Sequence, residues 1–347
     1  MRHCLVIVKD YLASPSLLRA SGGCYFLLVF LFLLSGCIDD DTSDCSPVIS
    51  LRIRAEVSVS GDVGGENTFN DTGVYVFDEQ GVLTEYGRMQ SAEDASGQTV
   101  EFSVPEGKYT IVTWCGADFD NDYEVVAITP SGEFSGSFVK GETRLADMRL
   151  HAKAGEVSSA CTGNLFWAIV QEVTVNSGVN LVKLDSKLQK NSNIVEVVLK
   201  GVAETDATRA PVMDASPSAS HFDVSLSTVA GVYKFDNSAD LELSTPCSYL
   251  PYETTVVGTD LHLRLRTLRL FIDIPVMLTV TDTRTGNAVY TADLIELILK
   301  NPAYRTQADL DKEDTYKIVV GGAITAPDAG ISITVNGWEI IILEPLT

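Results

Sequence analysis

Alternation with period two constrains this chain more than any other feature of its sequence. In LRIRAEVSVS, residues 51–60, Leu51, Ile53, Ala55, Val57 and Val59 fall in one phase, while Arg52, Arg54, Glu56, Ser58 and Ser60 fall in the other. Successive side chains of a strand point to opposite faces, so this pattern calls for a half-buried strand. ISITVNGW repeats it with Ile331, Ile333 and Val335. Between them come VYVFD, VLTEY, VEFSV, YTIVTW, IVEVVL, LHLRLR and YKIVV, separated by turn residues such as Asp78-Glu79-Gln80-Gly81 and Pro105-Glu106-Gly107. Many short strands at this spacing predict an all-β protein built as an antiparallel β-sandwich.

Local breaks in the pattern divide the chain. NSGVN, residues 176–180, interrupts it between QEVTV and the next strand run. With about 100 to 200 residues per domain, it marks a junction between an N-terminal sandwich, 48–178, and a C-terminal one, 179–347. ETDATRAPVMDASPSAS, residues 204–220, is polar and rich in small residues and reads as a long surface loop. Within LHLRLRTLRLFIDI the apolar phase moves from Leu261, Leu263 and Leu265 to Leu268, Leu270 and Ile272, which predicts a bulge or bend near Thr267. DLIELILK, residues 293–300, is the one convincing helix, closed by Asn301-Pro302.

The first 47 residues are of another kind. Tyr25 to Leu34 are ten uncharged apolar residues behind Arg2, Lys9 and Arg19. At about 1.5 Å per residue they span roughly half of a ~30 Å hydrocarbon core, too little for a transmembrane helix. A basic start, a short apolar run and small residues form an export signal. Leu34-Ser35-Gly36-Cys37 has in addition the pattern of a bacterial lipobox, so residues 1–36 are expected to be a lipoprotein signal peptide and Cys37 the lipidated N-terminus. Residues 37–47 then form a tether in which Asp39, Asp40, Asp41 and Asp44 repel one another and keep the segment solvated.

The whole chain carries a formal charge of −22, and loss of three bases and one acid with the signal leaves −24. Such acidity argues against nucleic acid, whose phosphates need a basic surface. Of seven cysteines, Cys4 and Cys24 leave with the signal and Cys37 takes the lipid. Cys45, Cys115, Cys161 and Cys247 remain in an oxidising compartment, where three pairings into two disulfides are open.

Chemistry is sparse. His151, His221 and His262 belong to no H-E-x-x-H or other close pair, and His262 alternates with Leu261 and Leu263 as a solvated sheet residue. There is no G-x-S-x-G elbow and no phosphate-binding loop. Nothing nominates an active site, a metal centre or a cofactor. Asp118, Asp120 and Asp122 alternate as calcium ligands do, but Tyr123 stands where the glycine belongs and Thr129 where the bidentate glutamate belongs, so an acidic turn competes with calcium. Arg264, Arg266 and Arg269 form a basic cluster, either a docking patch for an acidic partner or cations paired within the sheet.

SDCSP after the lipobox, VYVFDEQGVL, VPEGKYTIVTWCG, NLFWA, NPAYRTQADLDKEDTYKIVV and ITVNGW, in that order, resemble the FimB-type fimbrial anchor lipoproteins of Bacteroidota. The resemblance runs from Cys37 almost to the end; Cys115 after Trp114 departs from it, where a small residue is expected. It implies two tandem transthyretin-like sandwiches and a non-enzymatic lipoprotein on the outer face of the outer membrane. Such a protein holds the base of a fimbrium and limits its length through strand exchange with shaft subunits. An anchor of this kind keeps its own first strand. The element expected for donation is ISITVNGWEIIILE, with Ile331, Ile333, Val335 and Trp338; the alternative is that these strands complete the second sandwich, with Trp338 in its core. The rival from another class is a surface lipoprotein that binds a glycan or another nutrient, for which Tyr249 and Tyr252 are the only aromatic platform.

Overall fold

The structure is a computed structural model that describes residues 48–55, 71–90, 98–116, 122–153, 164–178, 181–202, 221–243, 246–322 and 331–341. The export segment, Cys37, the tether, Cys45, Asp118, Asp120, Cys161 and the whole of the loop expected at 204–220 lie outside these residues. Ser46–Thr347 form one compact unit.

The alternating segments become strands, as their pattern requires. The first are β1 (Val48–Ala55), β2 (Asp71–Asp78), β3 (Leu83–Gln90), β4 (Gln98–Ser103), β5 (Gly107–Gly116), β6 (Tyr123–Ala127), β7 (Met148–Ala152), β8 (Leu165–Val175) and β9 (Leu181–Lys190). Seven of them form one sheet in the order β3-β2-β5-β8-β9-β1-β4. The two ends of that order approach each other: a Cβ on Gly87 of β3 would lie 3.1 Å from the Phe102 ring of β4. The sheet therefore curls into a roll. Its interior holds Ile49, Val74, Val76, Phe102, Tyr109, Ile111, Phe166 and Leu188.

The break does not end this sheet: Ser177 and Gly178 form a turn, and β9 beyond them pairs with both β8 and β1. Sheet membership changes at Asn191. A further difference from the antiparallel expectation is that β1 runs parallel to β9, from Val48↔Leu181 to Ala55↔Leu188.

The later strands are β10 (Ser192–Leu199), β11 (Phe222–Thr228), β12 (Val232–Lys234), β13 (Cys247–Tyr249), β14 (Pro251–Val257), β15 (Asp260–Leu268), β16 (Val276–Asp282), β17 (Asn287–Asp293), β18 (Thr315–Gly321), β19 (Ser332–Val335) and β20 (Trp338–Ile341). They build a six-stranded sheet, β14-β15-β10-β18-β19-β20, and a four-stranded one, β13-β11-β16-β17. Val195, Val197, Leu261, Leu263 and Leu265 of the first share one core with Val224, Leu226, Leu278 and Val280 of the second. Full burial of each such side chain contributes about 1.5–3 kcal/mol.

That core continues onto the outer face of the roll. In β2, Val74 and Val76 face inward while Tyr75 and Phe77 join the second core, which is why VYVFD is apolar in both phases. Tyr75 meets Phe235 with ring centroids 5.1 Å apart, Trp114 meets Tyr233 at 6.1 Å, and the Trp167 indole N–H donates to the Phe235 carbonyl at 3.2 Å. β12 also joins β7 and β6 in a three-stranded sheet, so the later half of the chain completes a layer begun by the earlier half.

The helix expected at 293–300 is α1 (Leu294–Leu299), with the Asp293 carboxylate accepting from the Ile295 N–H as its cap. A second short helix is α2 (Gln307–Leu310), opened by a capping box between Thr306 and Asp309. Of the bulge or bend expected near Thr267, β15 shows no bulge, since it pairs without a break against β10. The irregularity lies on its other neighbour, between Pro251 and Glu253 of β14. The phase changes after Leu268 because the chain leaves the sheet there, with Arg269 N donating to the Asn191 carbonyl (3.0 Å) and Leu270 N to Asn193 Oδ1 (3.1 Å).

Candidate assembly site

In a chain without an evident active site, the surfaces that can recognise another protein are strand edges, where backbone groups have a neighbour on one side only. β20 is such an edge of the six-stranded sheet. It forms a hairpin with β19 through Asn336-Gly337, whose φ values of 48° and 80° give the left-handed pair that a two-residue turn needs. Asn-Gly between alternating residues is the sequence signal for that turn, present in ITVNGW.

The hairpin is tied down at its turn. Asn336 Oδ1 accepts from Lys317 N at 2.6 Å, Asn336 N donates to the Lys317 carbonyl at 2.9 Å, and Asn336 Nδ2 donates to the Tyr304 hydroxyl at 2.6 Å. Asn301 Nδ2 donates to the Val335 carbonyl at 3.3 Å. These contacts explain the NPAY and VNGW motifs as a structural latch between two distant segments. Asn336→Ala is expected to cost about 1–3 kcal/mol, from the lost bonds and the positive φ, as read by urea unfolding.

Of the residues expected in a donated strand, Ile333 and Val335 are wholly buried in their own core, paired in β19 with Val320 and Ile318 of β18. Ile331 packs half-buried against that core. Trp338 is not the core residue expected: it is 48% exposed, because a strand at the sheet edge turns one face to solvent. β1, by contrast, lies between β9 and β4, with six antiparallel register pairs to β4 beside its parallel ladder.

The other residues singled out are structural. Cys115 and Cys247 are free thiols, each buried, in two different cores, so they are not paired with each other; the other two candidates, Cys45 and Cys161, lie outside the described residues. Burial pushes the Cys115 thiol up to about 12. Arg264 pairs with Glu253 (3.1 Å), Arg269 makes a two-pronged pair with Asp311 (2.8 and 2.6 Å), and Arg266 lies over the Tyr252 ring at 5.0 Å. The cluster is thus spent within the fold. Tyr249 is buried, so it forms no platform with Tyr252.

His262 lies 3.2 Å from Glu196, which also accepts from Lys317 at 2.9 Å. Burial pulls the Glu196 carboxyl up, but those two partners outweigh it and hold it below the usual range. His151 contacts Glu124 at 2.9 Å and stacks on Phe134. The Arg149–Asp240 ion pair had no signal in the sequence, since its members stand 91 residues apart. Among the described residues no cluster of three or more His, Cys, Asp or Glu is placed to hold a metal, and no helix is long and apolar enough to cross a membrane.

The family model of the fimbrillin-A associated anchor proteins Mfa1 and Mfa2 matches residues 42–344. The chain belongs to this family. Its fold agrees with solved structures of low sequence identity. The fimbrial anchor protein Mfa2 from Porphyromonas gingivalis is 19% identical, with a TM-score of 0.61 over 86% of this chain and 99% of that one. A candidate polysaccharide-binding protein from Bacteroides thetaiotaomicron gives 20% and 0.65, over 86% and 99%. A candidate adhesin from Bacteroides ovatus gives 18% and 0.63, over 86% and 97%. Among curated proteins nothing matches. The anchor family is thus represented here by an all-β fold whose edge hairpin and first strand are both seated in their own sheets.

Proposed function

We propose that the protein anchors the base of a fimbrium to the outer membrane through a lipid on Cys37, and limits the length of that fimbrium. The observation that carries this reading is the place of β1. It fills a slot between β9 and β4 that would otherwise be open to an incoming strand. A subunit that keeps its first strand accepts no other there, and growth ends. Family membership supports the partner class, fimbrial shaft subunits. Two transthyretin-like sandwiches in tandem, divided near Asn191 where sheet membership changes, describe the architecture that fits this role, and no step of it calls for catalysis.

Contact with the shaft runs along β20. Withdrawing β19 would empty the core of Ile333 and Val335, whereas β20 has one neighbour, an exposed Trp338 and a place near the C-terminus. Main-chain bonds along that edge supply affinity, and alternating side chains supply register. Deleting residues 339–347 is expected to release fimbriae into the medium or let them grow abnormally long, in a strain where the truncated protein still reaches the surface. Unchanged attachment and length in that strain would remove β20 from the mechanism; the same result after deletion of the whole gene would remove the anchor function.

A further inference from the structure

The parallel pairing of β1 with β9 decides how this fold meets a pull on the segment before it. Val48 opens β1 beside Leu181 at the start of β9, and Ala55 closes it beside Leu188, near the end of β9. The segment that follows Cys37 enters β1 at the Val48 end. The chain leaves β9 at the other end, where Lys190 and Asn191 lead into β10 of the six-stranded sheet. A load between that segment and the later half of the chain therefore draws β1 and β9 in opposite directions along their common axis. On its other side β1 has β4, in register from Val48↔Ser103 to Ile53↔Gln98. Hydrogen bonds between strands run across the strand direction, so sliding β1 along its axis strains both ladders at once. Eight register positions against β9 and six against β4 then resist together. Had β9 run antiparallel to β1, the pull would enter and leave at the same end and open the ladder one bond at a time.

Beyond the roll the load path is built in the same way. Asn191 N donates to the Leu165 carbonyl at 2.6 Å, and the Asn191 carbonyl accepts from Arg269 N at 3.0 Å. Asn193 accepts from Leu270 N at 3.1 Å and donates through Nδ2 to the Glu313 carbonyl at 2.8 Å, while Lys190 lies 3.9 Å from Asp314. These contacts fix the point where β9 hands over to β10. β10 then runs parallel to β18, from Ile194↔Thr315 to Leu199↔Val320, and two antiparallel steps turn β20 into the same direction. Load enters this sheet at Ser192 and leaves it at Ile341, at opposite ends of strands that again slide and do not peel. We infer that β1 is a mechanical clamp, which carries the tension of a fimbrium to the membrane in shear. The inference rests on the anchoring proposed above, which sets the segment after Cys37 and β20 under opposite pulls; the parallel register makes that pull a shear.

Single-molecule force spectroscopy on residues 38–347, the chain that follows Cys37, tests this. One handle is a tag before residue 38, and the other is a bioorthogonal side chain at one of two exposed positions, Lys312 or Ser177. Lys312 stands close to Asp314, at the hand-over from β9 to β10, so a pull through it slides β1 along both ladders. Ser177 lies in the turn before β9, so a pull through it parts Val48 from Leu181 and peels the ladder from that end. Both geometries act on one fold of one stability, and forced unfolding reads the barrier to unfolding along the pull. The first rupture through Lys312 is expected at a force at least about twofold above that through Ser177, because the ladder bonds share the load and do not take it in turn. The labelled forms should melt as the unlabelled protein does, since both handles replace exposed side chains. Equal rupture forces, or a lower one through Lys312, would overturn the clamp. The assay contains neither lipid nor shaft subunits, so failure of the anchor reading in the deletion strain and failure of the clamp are separate results.

Discussion

Replacing Cys37 with alanine is expected to move the chain out of the tightly membrane-bound fraction. A single acyl chain of about fourteen carbons gives only marginal, reversible attachment, and stable anchoring needs more than one. A diacylglyceryl cysteine with a further acyl group meets that need, and mass spectrometry of the mature N-terminus should find it. Because alanine in the lipobox also interferes with removal of the signal, a second strain with an ordinary cleavable signal in place of residues 1–36 isolates the effect of the lipid. In both strains, whatever remains with membranes should be washed off by salt, since without acyl chains only screened electrostatic contacts hold it. Salt-resistant retention of the cleaved Cys37→Ala chain would remove lipid anchoring, and with it the anchor reading.

The sequence states strands far better than it states their partners. LRIRAEVSVS, VYVFD and ISITVNGW each lie in or overlap a strand, and Asn336-Gly337 announces its hairpin, because alternation and turn chemistry are local. Which strand lies beside β1 is not local. The parallel pairing with β9 joins residues more than a hundred positions apart, and nothing in either strand specifies it. The same blindness applies to NSGVN: Gly178, at φ 78°, serves a turn within the roll as well as it would serve a linker. At the candidate site, the turn was legible in ITVNGW, whereas the exposure of Trp338 was not, since a tryptophan in an alternating strand reads as core until the sheet is known to end there. Counting cysteines suggests pairs without naming them: Cys115 and Cys247 lie in different cores and are not partners of each other.

Asp240→Ala is expected to destabilise the fold by about 3–5 kcal/mol, the usual consequence of removing one partner of a buried ion pair. Arg149 of β7 and Asp240, past β12, meet at 2.6 Å with side chains only 7% and 4% exposed. The guanidinium also donates to the carbonyls of Ala146 and Met148, and the other carboxylate oxygen accepts from the amides of Glu242 and Leu243. Removing the carboxylate leaves Arg149 charged, buried and short of its partner, at the layer where the later half of the chain completes a sheet of the earlier half. Replacing both residues together, as Arg149→Met with Asp240→Leu, should cost much less, because no charge is then stranded. Acidification follows the same logic. Burial pulls the Asp240 carboxyl up, but Arg149 and the two backbone amides outweigh it, so its folded value lies below the ordinary one. The stability it contributes is present above the unfolded value of about 4 and is lost as pH falls through the lower folded value. Urea unfolding of Asp240→Asn should therefore show a shallower fall in stability below pH of about 4 than the wild type; curves that stay parallel would mean that the ion pair is not what holds the shared layer.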